Sequence, residues 1–481
     1  MKILTVGGGT AGLITSIILK RYLNVQIDIV KSEKIGIVGV GEGSTEHFKE
    51  FLSFTGIDQY SIIKECGATY KGGILFKDFS SKPYMHSVGF PFDSKVAQYR
   101  HLYAHQIAFN NDYFQSKLLW NNRIPAWYLG RVDDFPFNQF HFDTFKLNDF
   151  LVKYAKSIGI NVYDDEIIDV RLNDRGEIDT VIGEKNTYSY NFYIDSTGFK
   201  RLLMDKLGAK WVSFSKYMKM NSAITFPTEE TNEYNMWTLA QGLSSGWMFR
   251  LPVQGRHGNG YIFNNSYIDL DGAKKEVESL FGRELEIGRV FNFDPGAIEK
   301  AWVKNCVAVG LSSLFVEPLE ASSIGSSIQQ AFLLMHRLTN YDEKTISAYN
   351  KAFDDVVNNI RDFIVLHYIS DRRDTEFWKD MANVEIPDSL KEKLELWEHR
   401  LPIHEDFNNL SDYIMFQDTN FILVVEGQGL FNRDSIKQEL LQKPVSVLEN
   451  AKYLIENEHK VDTTVNTIGH KEFINLIKTY Y

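Results

Sequence analysis

The sequence predicts a mixed α/β fold: a body built on a parallel sheet, a strand-rich layer inserted into it, and a helical C-terminal region. Three observations carry this. The chain opens with a short apolar run, a glycine-rich turn, a helical apolar pattern and a second short apolar run. Brief strand-like segments then alternate with helical ones to about residue 300. From about residue 318 the apolar positions recur at helical spacing instead.

In order along the chain, "KILTV" (2–6) reads as a buried strand, Leu13, Ile17, Ile18 and Tyr22 mark one helix, and "VQIDIV" (25–30) alternates as a second strand. Strand, glycine turn, helix and strand make a βαβ unit. Residues 69–79 read as one strand and "VGFPF" (88–92) as a turn. Residues 143–158 read as a helix that Asp143 is placed to cap. Several short strands follow to Gly198, with "NDRGE" as a hairpin turn, and "SAITFP" (222–227) and "GWMFRLPVQGRHGNGYIF" (246–263) are strand-rich. "SSIQQAFLLMHRL" and "ISAYNKAFDDVVNNIRDFIVLHYI" are helical, and the last 80 residues read as helices with loops. The expected division is a body over 1–385, with the inserted layer at about 67–140 and 205–290, and a mostly helical region over 386–481 that covers the substrate site.

Composition narrows the function. A net charge of −11 argues against a nucleic-acid partner, which needs a basic face against phosphates. Two cysteines, Cys66 and Cys306, make neither a disulfide scaffold nor a Cys-rich metal site, and point to a reducing, cytoplasmic compartment. There is no signal-peptide pattern and no apolar run of the roughly 18 residues that a membrane span needs. The twelve histidines show no metal-ligand spacing and there is no GxSxG elbow, so no metal and no serine nucleophile are expected. The charged stretch 388–400 reads as a solvated helix face.

Gly7-x-Gly9-x-x-Gly12 sits between a strand and a helix, where glycines permit a tight turn and a pyrophosphate can rest on the helix N-terminus. An acidic residue at the end of the second strand would hold a ribose; here Lys31 takes that place and Glu33 follows two residues later. "FYIDSTG" (192–198), a strand ending in Asp195-Ser-Thr-Gly198, favours a flavin over a nicotinamide.

Six blocks together resemble one family, the flavin-dependent (tryptophan-type) halogenases. They are Gly7–Gly12; "VGVGEGS" (38–44), similar to a loop strapped over the flavin; "ATYKGGILF" (68–76); "GWMFRLP" (246–252), similar to Gly-Trp-x-Trp-x-Ile-Pro; "AWVKNCVAVGLSSLFVEPLEASSIG" (301–325); and "IRDFIVLHYISDRRDTEFW" (360–378). A viral (cyanophage) member is a looser likeness. The resemblance implies an FAD-binding Rossmann-like body of the GR2 monooxygenase type, with an inserted β-sheet substrate layer and a helical C-terminal region. It implies that reduced FAD, O2 and halide give hypohalous acid, which crosses an internal tunnel to a lysine and halogenates an electron-rich indole or phenol. It also implies a separate flavin reductase, and it is compatible with a homo-oligomer.

Carried onto this chain, the resemblance implies Lys71 and Glu320 as the catalytic pair. FAD contacts would come from Gly7, Gly9, Thr10, Ala11, Gly12, Glu33, Val40, Gly41, Glu42, Asp195, Gly198 and Gly310. The amides of Ser322 and Ser323 would bind halide, Trp247 and Phe249 would wall the tunnel, and His86, Phe90 and His101 would lie toward the substrate. Phe249 stands for a tryptophan and Ser323 for a glycine, so the family's halide preference does not carry over with them; bromide and iodide, easier to oxidise than chloride, are the expected halides, with chloride as a further one. Residue types alone place Lys71 as a solvent-facing strand residue and Glu320 in the first turn of a helix. They also leave open an aromatic hydroxylase on the same fold, or a flavin-binding protein without turnover.

Overall fold

The computed structural model describes residues 1–37, 39, 41–87, 117–131, 135, 137 and 139–481, with the side chains of 454–455 and 458–464 left out. Val40, Phe90 and His101 lie outside these residues.

The first strand, Lys2–Val6, runs parallel between Gln26–Lys31 and Phe192–Asp195 in a six-stranded sheet. Asn161–Asp164 extends one edge, and the hairpin of Trp302–Val303 and Cys306–Ala308 extends the other. Parallel strands need cover on both faces, and Ile3, Leu4, Ile27 and Ile29 are accordingly buried. The glycine-loop helix, Thr10–Tyr22, is buried at every residue from Gly12 to Leu19 and packs on Thr144–Ser157 and Ser322–Met335. Ser322–Met335 is itself buried at all but one of its residues. The loop that starts it therefore stands in the middle of the molecule. Asp143 caps the Thr144–Ser157 helix by accepting from the amides of Phe145 and Lys146.

The second layer is a seven-stranded sheet in the order Arg289–Asn292, Ser222–Glu229, Arg256–Phe263, Gly246–Val253, Trp237–Gly242, Gly73–Lys77, Tyr84–Ser87. The parallel pairing of Trp237–Gly242 with Gly73–Lys77 joins the early inserted stretch to the late one. The single strand expected over 69–79 is two strands in two sheets. Thr69–Lys71 pairs with Gln139–Phe142, while Gly73–Lys77 belongs to the large sheet. Gly72 is the break: a Cβ there would stand 2.6 Å from Leu119 and 2.8 Å from Phe137.

Helices Asp388–Trp397, Asp418–Gly427, Arg433–Leu441, Val445–Thr464 and His470–Tyr480 make up most of the C-terminal region. It also holds a strand that the sequence pattern does not announce, Thr467–Gly469, paired with Arg123–Pro125. The adjoining His470 is buried; its Nε2 accepts from the Tyr70 amide at 3.1 Å, and its Nδ1 faces the Tyr234 carbonyl at 3.2 Å. The last helix is thereby tied to the strand that carries Lys71. Among the described residues no helix is long and apolar enough to cross a membrane.

Burial holds the His470 pKa down at about 4, because its Nε2 must stay unprotonated to accept. The unfolded chain takes up that proton near pH 6.5. Stability is therefore full above about pH 6.5 and is lost as pH falls toward about 4, by about 3 kcal/mol from this residue. His141, also held low by burial, acts in the same direction. The difference in urea midpoint between wild type and His470→Gln should shrink as the pH is lowered through that window, since glutamine does not titrate.

Candidate active site

The glycine loop is fixed from three sides. Gly7 N–H donates to the Val30 carbonyl at 2.8 Å, Ser196 Oγ donates to the Gly7 carbonyl at 2.8 Å, and Asn148 Nδ2 to the Gly8 carbonyl at 2.8 Å. Gly7 has φ +107°, and a Cβ there would stand 2.2 Å from the Ser196 carbonyl oxygen, so only glycine fits. Gly9 begins the helix with no side-chain cap, which leaves the amides after it, at Thr10 and Ala11, facing outward. Gly310 lies against Ala11, and Gly198 has left-handed backbone at φ +68°. Asp195 uses its carboxylate internally: it accepts from Thr197, from the amides of Leu203 and Met204, and from Ser312. Any approach of this strand end to a ligand is therefore through its backbone. Glu33 is largely exposed, with its Oε1 3.9 Å from Lys31 Nζ.

A chamber of about 200 Å³ is lined among others by Gly41, Glu42, Trp247, Phe249, Ala321 and Ser323, and by Phe199 and Leu311, which follow Gly198 and Gly310. Trp247 and Phe249 are neighbours on one face of the strand Gly246–Val253, with ring centres 6.2 Å apart. Phe249 lies over Gly260, its partner across the hairpin, where a Cβ would stand 2.4 Å from the ring.

Past the chamber the chain makes a turn of 3-10 helix over Pro318–Glu320, then Ala321 in left-handed backbone at φ +54°, then the helix Ser322–Met335 with no side-chain cap. Glu320 thus precedes the helix rather than sitting in its first turn, which corrects the reading from residue type. The first helical amides, those of Ser322 and Ser323, belong to the uncapped end. Ser322 is buried, and the exposed Ser323 lines the chamber.

Lys71 is buried rather than solvent-facing, at 1% exposure. Its Nζ donates to the Ser44 carbonyl at 2.8 Å, and it forms no ion pair among the described residues. A Cβ on Gly43 would stand 3.4 Å from Ala321 Cβ and 3.6 Å from Lys71 Nζ, so the amine and the residue after Glu320 meet across that glycine. Glu320 is also buried. His86 Nδ1 donates to its Oε2 at 2.7 Å, and His367 Nε2 stands 2.9 Å from its Oε1, outside hydrogen-bond alignment. Each imidazole is held from its far side. Asn420 Nδ2 lies 3.1 Å from His86 Nε2, Tyr84 O–H lies 2.8 Å from His367 Nδ1, and Phe76 stacks on the His367 ring at 4.4 Å.

The tryptophan halogenase family profile matches residues 2–442.

The chain belongs to the tryptophan halogenase family.

It is similar to the tryptophan 6-halogenase SttH of Streptomyces toxytricini, 30% identical over 452 residues covering 84% of this chain and 85% of that one. It is also similar to the tryptophan 7-halogenase RebH of Lentzea aerocolonigenes, 26% identical over 484 residues and 89% of each. The solved flavin-dependent halogenase of Xanthomonas campestris superposes with a TM-score of 0.87 at 28% identity, over 98% of this chain and 97% of that one. The protein is therefore a flavin-dependent halogenase, an oxidoreductase that uses reduced FAD, dioxygen and a halide on aromatic substrates.

The residues present fit a flavin in three respects. The glycine loop packs directly on Ser196 through Gly7 and Gly12 and leaves open space at Gly9, beside the uncapped helix start where a pyrophosphate would lie. The chamber is walled by rings and aliphatic groups, as a flat heterocycle requires. Thr225 Oγ1, which lines that chamber, is buried without a hydrogen-bond partner.

The electrostatics separate the halogenase's two catalytic candidates. Burial lowers the Lys71 pKa to about 8 against the pull of Glu320 and Glu46, so much of the amine is neutral near that pH. Burial opposes ionisation of Glu320, but the two imidazoles outweigh it and hold the carboxyl down at about 2. Glu42, which lacks such partners, is pushed up to about 7 by burial against one hydrogen bond from Thr144.

Sequence reasoning placed His86 only loosely, toward the substrate, and it missed His367 and Asn420. "LHY" inside the sixth block was the available signal, but a helix end does not disclose what it faces. Among the described residues no cluster of His, Cys, Asp or Glu could hold a metal, and both cysteines are free and buried.

His367→Leu should destabilise the protein by about 2 kcal/mol in urea unfolding, because it strips a buried carboxylate of one of its two imidazole partners. Adding His86→Leu should cost less than the sum of the two single changes, since both act on the same charge.

Proposed function

We propose that hypohalous acid made on the flavin side of the chamber reaches Lys71 and halogenates an indole- or phenol-type ring beside Glu320. The observation that carries this reading is a buried amine without an ion pair among the described residues, within the field of a carboxylate that two histidines keep ionised. Gly7, Gly9, Thr10, Ala11, Gly12, Gly41, Glu42, Gly198 and Gly310 would hold reduced FAD, which would supply the two electrons needed for O2 to oxidise halide to hypohalous acid. The amides of Ser322 and Ser323 hold the halide, and Trp247 and Phe249 keep the aromatic substrate off the flavin. At Lys71 the neutral amine takes the halogen and releases water. The ring carbon takes the halogen as the nitrogen–halogen bond breaks, the ring proton passes to Glu320, and the nitrogen takes up a proton to regenerate the amine. A carboxylate of low pKa suffices, because the halogenated ring cation is a far stronger acid.

Support for the position of the substrate comes from a cavity of about 780 Å³ whose lining includes Glu46, His47, Phe54, Phe332, Tyr413 and Asn420. Asn420 touches the His86 that holds Glu320, and Glu46 accepts from Gln139, which pairs with Lys71 across the strands. Bromide and iodide are the favoured halides, being easier to oxidise than chloride. A separate reductase supplies the reduced FAD.

The test is incubation with chemically reduced FAD, O2, each halide and a panel of indoles and phenols, read by mass. A halogen mass shift is expected; a shift of +16 alone would overturn the reading. Lys71→Ala should abolish product while flavin oxidation continues. Because the neutral amine is the acceptor, single-turnover halogenation should rise with pH through about 8 and level off above it; a rate that falls over that range would assign Lys71 as an ammonium donor instead.

A further inference from the structure

Glu317, three residues before Glu320 and across the same proline turn, has no part in the scheme above, yet its environment is the more unusual. It is buried at 1% exposure with no cation among its described neighbours. Its Oε2 accepts two hydrogen bonds, from the Trp247 indole N–H at 2.6 Å and from the Tyr368 hydroxyl at 2.5 Å. Its Oε1 is buried with no partner. A buried polar atom left unpaired costs about 1–3 kcal/mol, and such groups persist where they are used. Trp247 is the chamber wall, and Tyr368 follows the His367 that meets Glu320. Consecutive residues at one helix end thus grip the two carboxylates of one turn.

We propose that Glu317 is a positioning residue that holds the Trp247 indole in place as a side wall of the chamber, so that hypohalous acid passes along it to the amine rather than escaping. The inference rests on the reading of Lys71 given above. Trp247 is an alternate-face residue of a strand, and nothing in the backbone fixes the swing of its ring; the hydrogen bond to Glu317 does. Glu317 is neighbour to Pro318 and Leu319, which also line the chamber, so its hydrogen bond to Trp247 joins the wall to that loop.

The test compares Glu317→Leu, which removes both acceptors at similar volume, with Glu317→Gln, which keeps an oxygen for both donors. Two readouts are used. The first is iodide quenching of Trp247 emission in the protein without flavin, taken as the difference from the same variant carrying Trp247→Phe. The second is the ratio of halogenated product to flavin oxidised, with escaped hypobromite trapped by a soluble thiol. Glu317→Leu should raise quenching and lower the ratio by about five-fold each, the scale of one lost hydrogen bond, with trapped hypobromite rising to match. Glu317→Gln should stay within about two-fold of wild type. Quenching and ratio both unchanged in Glu317→Leu, or Glu317→Gln as impaired as Glu317→Leu, would overturn the proposal. If Glu317→Leu does not fold, Tyr368→Phe deletes one donor and leaves the ring packed; a smaller rise in quenching is expected, and no change overturns the proposal. Should wild type give no halogenated product, the wider reading fails, and the quenching arm still decides the role of Glu317.

Discussion

A carboxylate taken out of water survives as an anion only where hydrogen-bond donors or cations replace its hydration. Glu320 meets that requirement with two imidazoles, and much of the molecule is arranged to bring them. One comes from the edge strand Tyr84–Ser87 and the other from the residue that ends the helix Glu343–Leu366. Tyr84, Gln428 and Asn420 then exist in the roles seen because each imidazole has a second nitrogen that must also be satisfied. The C-terminal region is thus fastened to the site by hydrogen bonds two steps removed from the carboxylate.

The same turn carries a second acid in the opposite condition. Glu317 has neutral donors, indole and phenol, where Glu320 has imidazoles, and burial pushes it up to about 7. Three residues separate a group that stays ionised at any working pH from one that holds its proton near neutrality. Sequence cannot separate two glutamates flanking a proline; their partners do, and those partners arrive from about 50 to 230 residues away.

What was legible in the sequence was local. The glycine loop, the Asp143 cap and the hairpin over 246–263 each depend on residues within a few positions of one another. The burial of Lys71 was not legible, because it depends on Gly72 sending the chain into a second sheet and on His470 fastening the strand from the far end of the chain. Lys71 and Glu320 were found through resemblance across several blocks, since a lysine on an alternating strand and a glutamate near a helix start are individually ordinary. The strand Thr467–Gly469 is three residues long and has no pattern that precedes its pairing.

Two departures from the family pattern, Phe249 and Ser323, fall on the wall of one chamber. Phenylalanine for tryptophan removes volume from that wall, and serine for glycine adds some back. Phe249 rests on Gly260 and cannot move toward the hairpin without a clash, so the space it gives up lies on the chamber side. Ser323 lines the chamber from the helix end whose amides are proposed to hold the halide. The exchange trades ring surface at one end of the chamber for a hydroxyl at the other. It places a polar group beside uncapped amides rather than beside the aromatic wall, where an unpaired hydroxyl would be costly.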